Sequence, residues 1–170
     1  EKTSPGKAII LYGARQTGKT TLLKYLVNSN QKTLWLSCDE ERVRRQITPD
    51  SLTLKTLFGD ATTVVFDEAQ MLPDAGLVLK IIIDHLPEVQ LYATGSSSFD
   101  IANKVAEPLT GRHHAYYLYP LAWHELTATT APVDQSFVLD QTLLFGSYPE
   151  IVTTTVREKK IRALELLSDA

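Results

Sequence analysis

The chain has 170 residues, of which 44% are hydrophobic and 22% are charged, so it can bury the core of one domain without disulfides. Its net charge of −3 argues against a large basic face for nucleic acid. A single cysteine, Cys38, excludes an internal disulfide and a multi-cysteine metal site, and it favours a reducing, cytoplasmic location. No apolar run approaches the roughly 20 residues of a membrane span, so no membrane partner is expected.

Apolar strand-like runs alternate with helical patterns along the chain. Strands are predicted at Ala8–Tyr12, Thr33–Cys38, Thr62–Glu68, Val89–Gly95 and Ala115–Leu121. Helices are predicted at Lys19–Ser29, from near Pro49 to Gly59, from the capping residue Asp74 to Pro87, and in three segments after Pro120. This alternation predicts a parallel sheet with helices on both faces. A linker candidate at Thr127–Ser136 divides the chain into a core, 1–130, and a helical segment, 131–170.

The segment GARQTGKT, from Gly13 to Thr20, fits the phosphate-loop spacing G-x-x-x-x-G-K-[ST], with a predicted strand before it and a helix after it. Glycines let backbone amides approach phosphate oxygens, and the dipole of the following helix favours the same anion. Lys19 is expected to reach the β and γ phosphates, and Thr20 to ligate Mg²⁺. The other residues predicted to bind nucleotide are Gly13, Ala14, Arg15, Gln16, Thr17, Gly18 and Thr21, with Arg15 and Gln16 as exposed spacers.

Two acids, Asp67 and Glu68, end the predicted strand TTVVFDE. Asp67 would lie at the carboxyl edge of the sheet and is expected to hold the Mg²⁺ shell. Glu68 can accept a proton from a water that attacks the γ phosphate, which indicates hydrolysis rather than binding alone. The alternative is a solvated turn at the strand end. Gln70 either orients water, contacts the next element or lies plainly on the surface.

The next strand, VQLYATG, also ends in polar residues. Thr94, Ser96 and Ser97 would lie near Asp67 if this strand is placed between the first and the third. A hydroxyl there can sense the γ phosphate, and Ser96 is the first choice. The alternative is that GSSS caps the next helix through Ser97 or Ser98.

Arginines outside the loop are further candidates. Arg112 could reach a phosphate in its own subunit or in a neighbour, as an arginine finger does, and a structural role is the alternative. The basic runs Arg42–Arg45 and Arg157–Arg162 are interpreted as solvated helix faces, because acidic residues flank or interrupt them. Contact with DNA through these runs is the alternative.

With the phosphate loop, FDEAQ and ATGSSS in this order, the chain resembles prokaryotic AAA-type ATPases related to the STAND and archaeal-ATPase clade, from about Lys7 to the end. More particular likeness lies in GSSS, LTGR, YPLAWHEL and FGSYPEIV. The resemblance implies a sensor at Ser96 or Ser97 and nucleotide-site roles for Gly13, Gly18, Lys19, Thr20, Asp67 and Glu68. It also implies that a C-terminal module with partner specificity follows Ala170.

The expected fold is a three-layer α/β P-loop NTPase with a five-stranded, mostly parallel sheet in the strand order 5-1-4-3-2, followed by a small helical segment. The expected function is binding of Mg-ATP and its hydrolysis to drive a conformational change, slowly in isolation because an arginine is often supplied in trans. A homo-oligomer or a partner protein is a further expectation. The alternatives are a nucleotide-gated switch, which touches DNA or a partner through the C-terminal domain, and a small-molecule kinase, which the lack of an arginine-rich lid disfavours.

Overall fold

The computed structural model describes residues 6–27, 32–96 and 109–168. Within these ranges the strands are β1 (Ala8–Gly13), β2 (Thr33–Ser37), β3 (Thr63–Asp67), β4 (Gln90–Ser96) and β5 (His113–Leu118). The helices are α1 (Lys19–Leu26), α2 (Glu41–Gln46), α3 (Ser51–Phe58), α4 (Ala75–His85), α5 (Trp123–Thr127), α6 (Gln135–Phe145), α7 (Pro149–Thr153) and α8 (Arg157–Ser168). Ser97, Ser98 and the last residues of the predicted first helix lie outside the described residues.

The strands form one sheet in the order β2-β3-β4-β1-β5, which confirms the predicted order and the α/β class. Strand β4 pairs in parallel with β1 on one side and with β3 on the other, and β3 pairs in parallel with β2. Because β4 lies between β1 and β3, the carboxyl ends of these three strands meet at one edge of the sheet.

Strand β5 runs in the same direction as β1. At the start of the pair, the Ala8 N–H donates to the Arg112 carbonyl oxygen over 3.0 Å. Near its end, the ring of Tyr12 stacks on that of Tyr117 with the centroids 5.4 Å apart. Burial, and then the nearby Tyr117, raises the pKa of Tyr12 to about 12. The start of β5 therefore lies at the amino edge of the sheet.

The chain divides into two compact units, a sheet unit (Glu1–Gly13 and Lys19–Tyr117) and a helical unit (Ala14–Gly18 and Leu118–Ala170). All five residues of β3 are buried, and its Val64 and Phe66 join the inward faces of the helices in the hydrophobic core of the sheet unit. On α4, Val78, Leu79 and Ile82 are buried at helical spacing against this core. The burial of this apolar stripe explains why the long helical pattern after Asp74 forms α4.

The N-terminal ends of α3 and α4 differ in whether a side chain caps them. The Asp50 carboxylate accepts from the Thr53 N–H over 2.7 Å and caps α3, which ends at Gly59 with a φ of +57°. The predicted cap Asp74 does precede α4, but its side chain makes no capping hydrogen bond. Hydrophobic packing, rather than that cap, is therefore the main support of α4.

The helical unit contains the helical segment predicted after the sheet. Its buried apolar residues include Phe145 and Ile151, whereas Phe137, Leu143 and Leu144 are exposed. The Leu121 N–H donates to the Ser147 carbonyl oxygen over 2.9 Å, which ties the start of this unit to the turn before α7. No helix in the described part of the chain has the length and apolarity needed to cross a membrane.

Candidate functional site

The candidate site is the carboxyl edge of the sheet unit, where β1, β3 and β4 end. Gly13 at the end of β1 pairs with Ser96 at the end of β4, and Leu11 pairs with Thr94. On the other side, Phe66 of β3 pairs with Ala93. This register places Thr94 beside Asp67, as the strand order predicts.

A direct contact joins the phosphate loop to the strand-end acid. The Thr20 hydroxyl lies 3.0 Å from Oδ1 and 3.0 Å from Oδ2 of Asp67, and the carboxylate residue is 8% exposed. The Lys19 ammonium, on a side chain that is 4% exposed, donates to the Gly13 carbonyl oxygen over 3.1 Å. A hydroxyl and a carboxylate thus lie together beside the helix N-terminus that begins at Lys19, and the Lys19 ammonium contacts the end of β1.

Thr94 is the hydroxyl that completes this arrangement. Its Oγ1 donates to Asp67 Oδ1 over 2.6 Å and accepts from the Glu68 N–H over 2.9 Å, and the side chain is fully buried. Sequence reasoning placed Thr94 near Asp67 but preferred Ser96, which is half-buried opposite Gly13. The sequence feature that could have identified Thr94 as a site residue is a polar side chain near the carboxyl end of an otherwise apolar strand.

Glu68 adopts a backbone conformation that is rare for a residue with a side chain. Its φ of +55° and ψ of +48° lie in the left-handed region, which costs about 1–2 kcal/mol for a non-glycine residue. The hydrogen bond from its N–H to Thr94 holds this conformation, and the Gln70 side-chain amide donates to Glu68 Oε2. Such strain at a strand end is typical of functional sites.

The loop residues Ala14–Gly18 belong to the helical unit. The Thr17 hydroxyl donates to the Ala14 carbonyl oxygen over 2.9 Å, and Gln16 has a φ of +59°. Gly18 has a φ of +94°, and a Cβ there would meet only Pro149 Cγ, at 4.0 Å. The conformation, not lack of space, therefore requires glycine at this position. Arg15 and Gln16 are exposed, and so is Thr21 on α1.

Arg112 lies at the opposite edge of the sheet. Its Nε donates to Asp84 Oδ1 over 2.8 Å, and its carbonyl oxygen pairs with Ala8 at the start of β1. The phosphate loop follows the other end of β1, which is about 17 Å away for a strand of this length. Of the three possibilities for Arg112, reach to its own subunit's phosphate does not fit this geometry and a structural ion pair does, whereas reach to a neighbour's phosphate stays a prediction.

Cys38 follows β2 and lies next to the backbone of Asp67. Its N–H donates to the Asp67 carbonyl oxygen over 2.8 Å, which extends the β2–β3 pairing past Ser37. Burial, and then the charge of Asp67, raises the pKa of the Cys38 thiol to about 12. The thiol therefore stays protonated and acts as a small core side chain beside the site.

The donors at the sheet edge suit a hard cation that keeps water and substrate oxygens. Among the described residues, no group of three or more His, Cys, Asp or Glu side chains is placed to hold a metal ion. A hydroxyl and a single carboxylate, Thr20 and Asp67, are however the kind of partial shell that Mg²⁺ uses together with substrate phosphates. The residues present therefore fit Mg²⁺ bound with a nucleotide.

Comparisons with known proteins give a consistent picture. A family profile described as an AAA domain matches residues 5–127. An uncharacterized protein of Methanocaldococcus jannaschii is 26% identical over 178 aligned residues, which cover 95% of this chain and 39% of that protein. An uncharacterized protein of Mycobacterium tuberculosis is 27% identical over 151 residues, which cover 88% of this chain and 32% of that protein. The chain thus spans between a third and two fifths of the length of these curated relatives.

A solved structure, that of the Aeropyrum pernix Orc1 protein in complex with DNA, is similar in fold. The match has a TM-score of 0.51 and 14% sequence identity, and it covers 79% of this chain and 44% of that one. At this identity the likeness shows the fold alone. The profile match ends at residue 127, close to the predicted boundary at 130, which stays a prediction.

Proposed function

The chain belongs to the AAA domain family, and from that premise we propose that it binds Mg-ATP and hydrolyses it to ADP and phosphate. Membership confirms the AAA part of the resemblance, whereas the relation to the STAND and archaeal-ATPase clade stays a prediction. The observation that carries the proposal is the contact between the Thr20 hydroxyl and the Asp67 carboxylate. It joins the phosphate loop to Asp67. Among the described residues, Asp67 is the only acid at a strand end whose side chain is buried.

On this proposal, metal ligands, a cation and backbone hydrogen-bond donors together hold the phosphates of the nucleotide. Thr20 and Asp67 would hold Mg²⁺, which when bound neutralises charge on the β and γ phosphates. The buried Lys19 ammonium supplies a second cation to the same oxygens. The first amides of α1 and the loop Gly13–Gly18 supply hydrogen-bond donors to the phosphates.

Glu68 is proposed as the general base. Its carboxylate accepts a proton from the attacking water, the water oxygen bonds to the γ phosphorus, and the bond to the β–γ bridging oxygen breaks. Thr94 fixes the backbone of Glu68, and Gln70 holds its side chain. Ser96, opposite Gly13, is proposed to sense the γ phosphate.

A nucleotide-gated switch is the second candidate, and one observation favours it. The Gln70 amide holds Glu68 Oε2, so the carboxylate must rotate if the attacking water does not lie on the side of its other oxygen, Oε1. Hydrolysis by the isolated chain is therefore expected to be slow, and a neighbouring subunit or a partner protein is proposed to accelerate it with an arginine in trans. Arg112, whose Nε is bound to Asp84 at the amino edge, could serve a neighbour through its Nη groups.

Nucleic acid is a less favoured partner. The Aeropyrum pernix Orc1 structure contains DNA, which makes the question worth testing. On α2, however, Arg45 pairs with Glu41, and the Arg44 guanidinium donates to the carbonyl oxygens of Cys38 and Asp39. The carboxylates of Glu41 and Glu40 offset the charges of Arg45 and Arg42, whereas the carbonyl oxygens only hold the Arg44 guanidinium in place. We therefore expect weak, salt-sensitive DNA binding at most.

The test measures phosphate release from Mg-ATP together with binding of a fluorescent ATP analogue. We expect slow release by the wild type and, in Glu68→Gln, unchanged binding with release lowered about 100-fold or more. Glu165→Gln, the same change at an exposed position, is the matched control. Release by Glu68→Gln at the wild-type rate would overturn the assignment of the base. Tight binding without release by the wild type would instead support the switch.

A further inference from the structure

The helical unit contains a cavity that the nucleotide chemistry does not use. The cavity has a volume of about 360 Å³, in the range of small-molecule sites. Apolar side chains from three helices form much of its wall, namely Leu126, Phe137, Val138, Ile151 and Val152. One positively charged residue, Lys160 of α8, also lines it.

Lys160 is buried although it belongs to the basic run Arg157–Arg162. Its side chain is 9% exposed, whereas Arg157, Lys159 and Arg162 of the same run are exposed. The solvated helix face predicted for this run is therefore wrong at one position. A buried ammonium is costly unless neighbouring groups compensate its charge, so its neighbours decide what it can do.

The neighbours of the Lys160 ammonium are neutral. Its Nζ donates to the Gln141 side-chain oxygen over 3.2 Å and lies 5.2 Å from the ring centroid of Phe145. None of the ion pairs among the described residues involves Lys160. An ammonium has three N–H donors, so the amide and the ring leave both charge and hydrogen-bonding capacity for a further partner.

We propose that this cavity binds a carboxylate carried on an apolar body, with Lys160 as the anion-binding residue. The carboxylate would accept from the Lys160 ammonium in a partly desolvated place, where charge-assisted hydrogen bonds are strong. The apolar body would contact Phe137, Val138 and Val152 and so remove their surface from water. The proposal concerns the helical unit alone and does not depend on nucleotide hydrolysis.

Two sources can supply this chemistry, a small carboxylic acid or a glutamate side chain flanked by leucines in a peptide. The first experiment separates the charge from the apolar body by titrating the full chain with hexanoate, 1-hexanol and acetate, followed by NMR. We expect hexanoate to bind about tenfold more tightly than 1-hexanol, since hydrogen bonds to charged groups exceed neutral ones by this order. Acetate should bind more weakly than hexanoate, because it lacks most of the apolar body.

Two variants test whether Lys160 causes the preference for hexanoate over 1-hexanol. Lys160→Met keeps the length of the side chain without its charge and should remove the preference for hexanoate over 1-hexanol. Lys159→Met, the same change at the exposed neighbour, should keep that preference. Equal binding of hexanoate and 1-hexanol by the wild type would overturn the proposal, and so would an unchanged preference in Lys160→Met.

If Lys160→Met does not fold, the NMR shifts of the wild type with hexanoate and with acetate still test the proposal. The methyl resonances of Val138, Ile151 and Val152 should shift more with hexanoate than with the same concentration of acetate, and shifts confined to other residues would overturn the proposal. A second pair of ligands, acetyl-Leu-Glu-Leu-amide and acetyl-Leu-Gln-Leu-amide, then identifies the source. Tighter binding of the Glu peptide than of hexanoate assigns the site to a peptide, and weaker binding assigns it to a small acid.

Discussion

The two units each bury a lysine, and the two lysines are held in similar ways. In the sheet unit the Lys19 ammonium donates to the Gly13 carbonyl oxygen over 3.1 Å, and in the helical unit the Lys160 ammonium donates to the Gln141 amide oxygen over 3.2 Å. The acceptor of the Lys160 ammonium is neutral, and a neutral oxygen positions an ammonium without cancelling its charge. That position is therefore suited to an anionic ligand, whereas for Lys19 the glycine loop and the helix N-terminus beside it indicate an anion.

The difference lies in what surrounds each lysine. Lys19 starts a helix after a glycine loop and is followed by Thr20, which contacts Asp67, so its surroundings favour the phosphates of a metal-bound nucleotide. Lys160 lies in a cavity with apolar walls, which favours a single anionic group on an apolar body. The lesson is that an anion is indicated in both cases, and that the neighbouring groups decide its class.

The largest effect is expected from exchanging the two lysines for methionine in turn. Lys19→Met should lower nucleotide affinity about 100-fold, because it removes a charge-assisted contact with the phosphates, and should leave hexanoate binding unchanged. Lys160→Met should lower hexanoate affinity about tenfold and should leave nucleotide affinity unchanged. Binding of the fluorescent ATP analogue and of hexanoate to both variants measures this exchange. A loss of both ligands in either folded variant would contradict the independence of the two sites.

Thr94→Val is expected to have the next largest effect. Valine keeps the shape but removes the hydroxyl that joins Asp67 to the Glu68 N–H, so phosphate release should fall about tenfold. The unpaired N–H should also lower the free energy of unfolding by about 1–3 kcal/mol. Thr94→Ser retains the hydroxyl and serves as the control. Wild-type release by a folded Thr94→Val protein would show that the hydroxyl is not needed to position Glu68.

A smaller effect concerns stability in the helical unit. Because Lys160 carries a buried charge with neutral partners, Lys160→Met should raise the free energy of unfolding by about 1 kcal/mol. Urea denaturation of the wild type, Lys160→Met and Lys159→Met checks this. Destabilisation by Lys160→Met would mean that the contacts with Gln141 and Phe145 outweigh the cost of burial, so the lysine would have a structural role.

The smallest effect is a dependence of stability on pH at Cys38. Its pKa is raised from 9.0 to about 12 in the folded chain, so between these values the folded state keeps a proton that the unfolded state loses. The stability from this thiol is fully present below pH 9 and is lost as the pH rises toward 12.

Cys38→Ser removes this titration. Between about pH 8 and about pH 10.5 the wild type should therefore lose about 1–2 kcal/mol more free energy of unfolding than the variant. Urea denaturation of both proteins at the two pH values measures the difference. Equal losses would show that the thiol ionises as readily in the folded chain as in the unfolded one.

Much of the fold follows from local patterns. The run AIILY is β1, the helical spacing of apolar residues after Asp74 is α4, and Gly59 ends α3. The strand order 5-1-4-3-2 is also confirmed. Where a prediction is wrong, a contact distant in the sequence or a competing local interaction is responsible. The carboxylate of Asp74 makes no capping hydrogen bond with α4, although its residue precedes the helix, and the helix is held by the packing of Val78, Leu79 and Ile82.

The sequence by itself predicted which residues bind phosphate, because the glycine spacing, Lys19, Thr20 and the pair Asp67-Glu68 depend only on neighbours along the chain. The tertiary structure alone decided that Thr94 bridges Asp67 and Glu68, since that contact needs β4 beside β3. It also decided that Arg112 lies at the amino edge, and that Lys160 turns inward while its basic neighbours face solvent. The physical reason is that a sequence pattern specifies the period of an element, whereas strand pairing and helix packing specify which side chains meet.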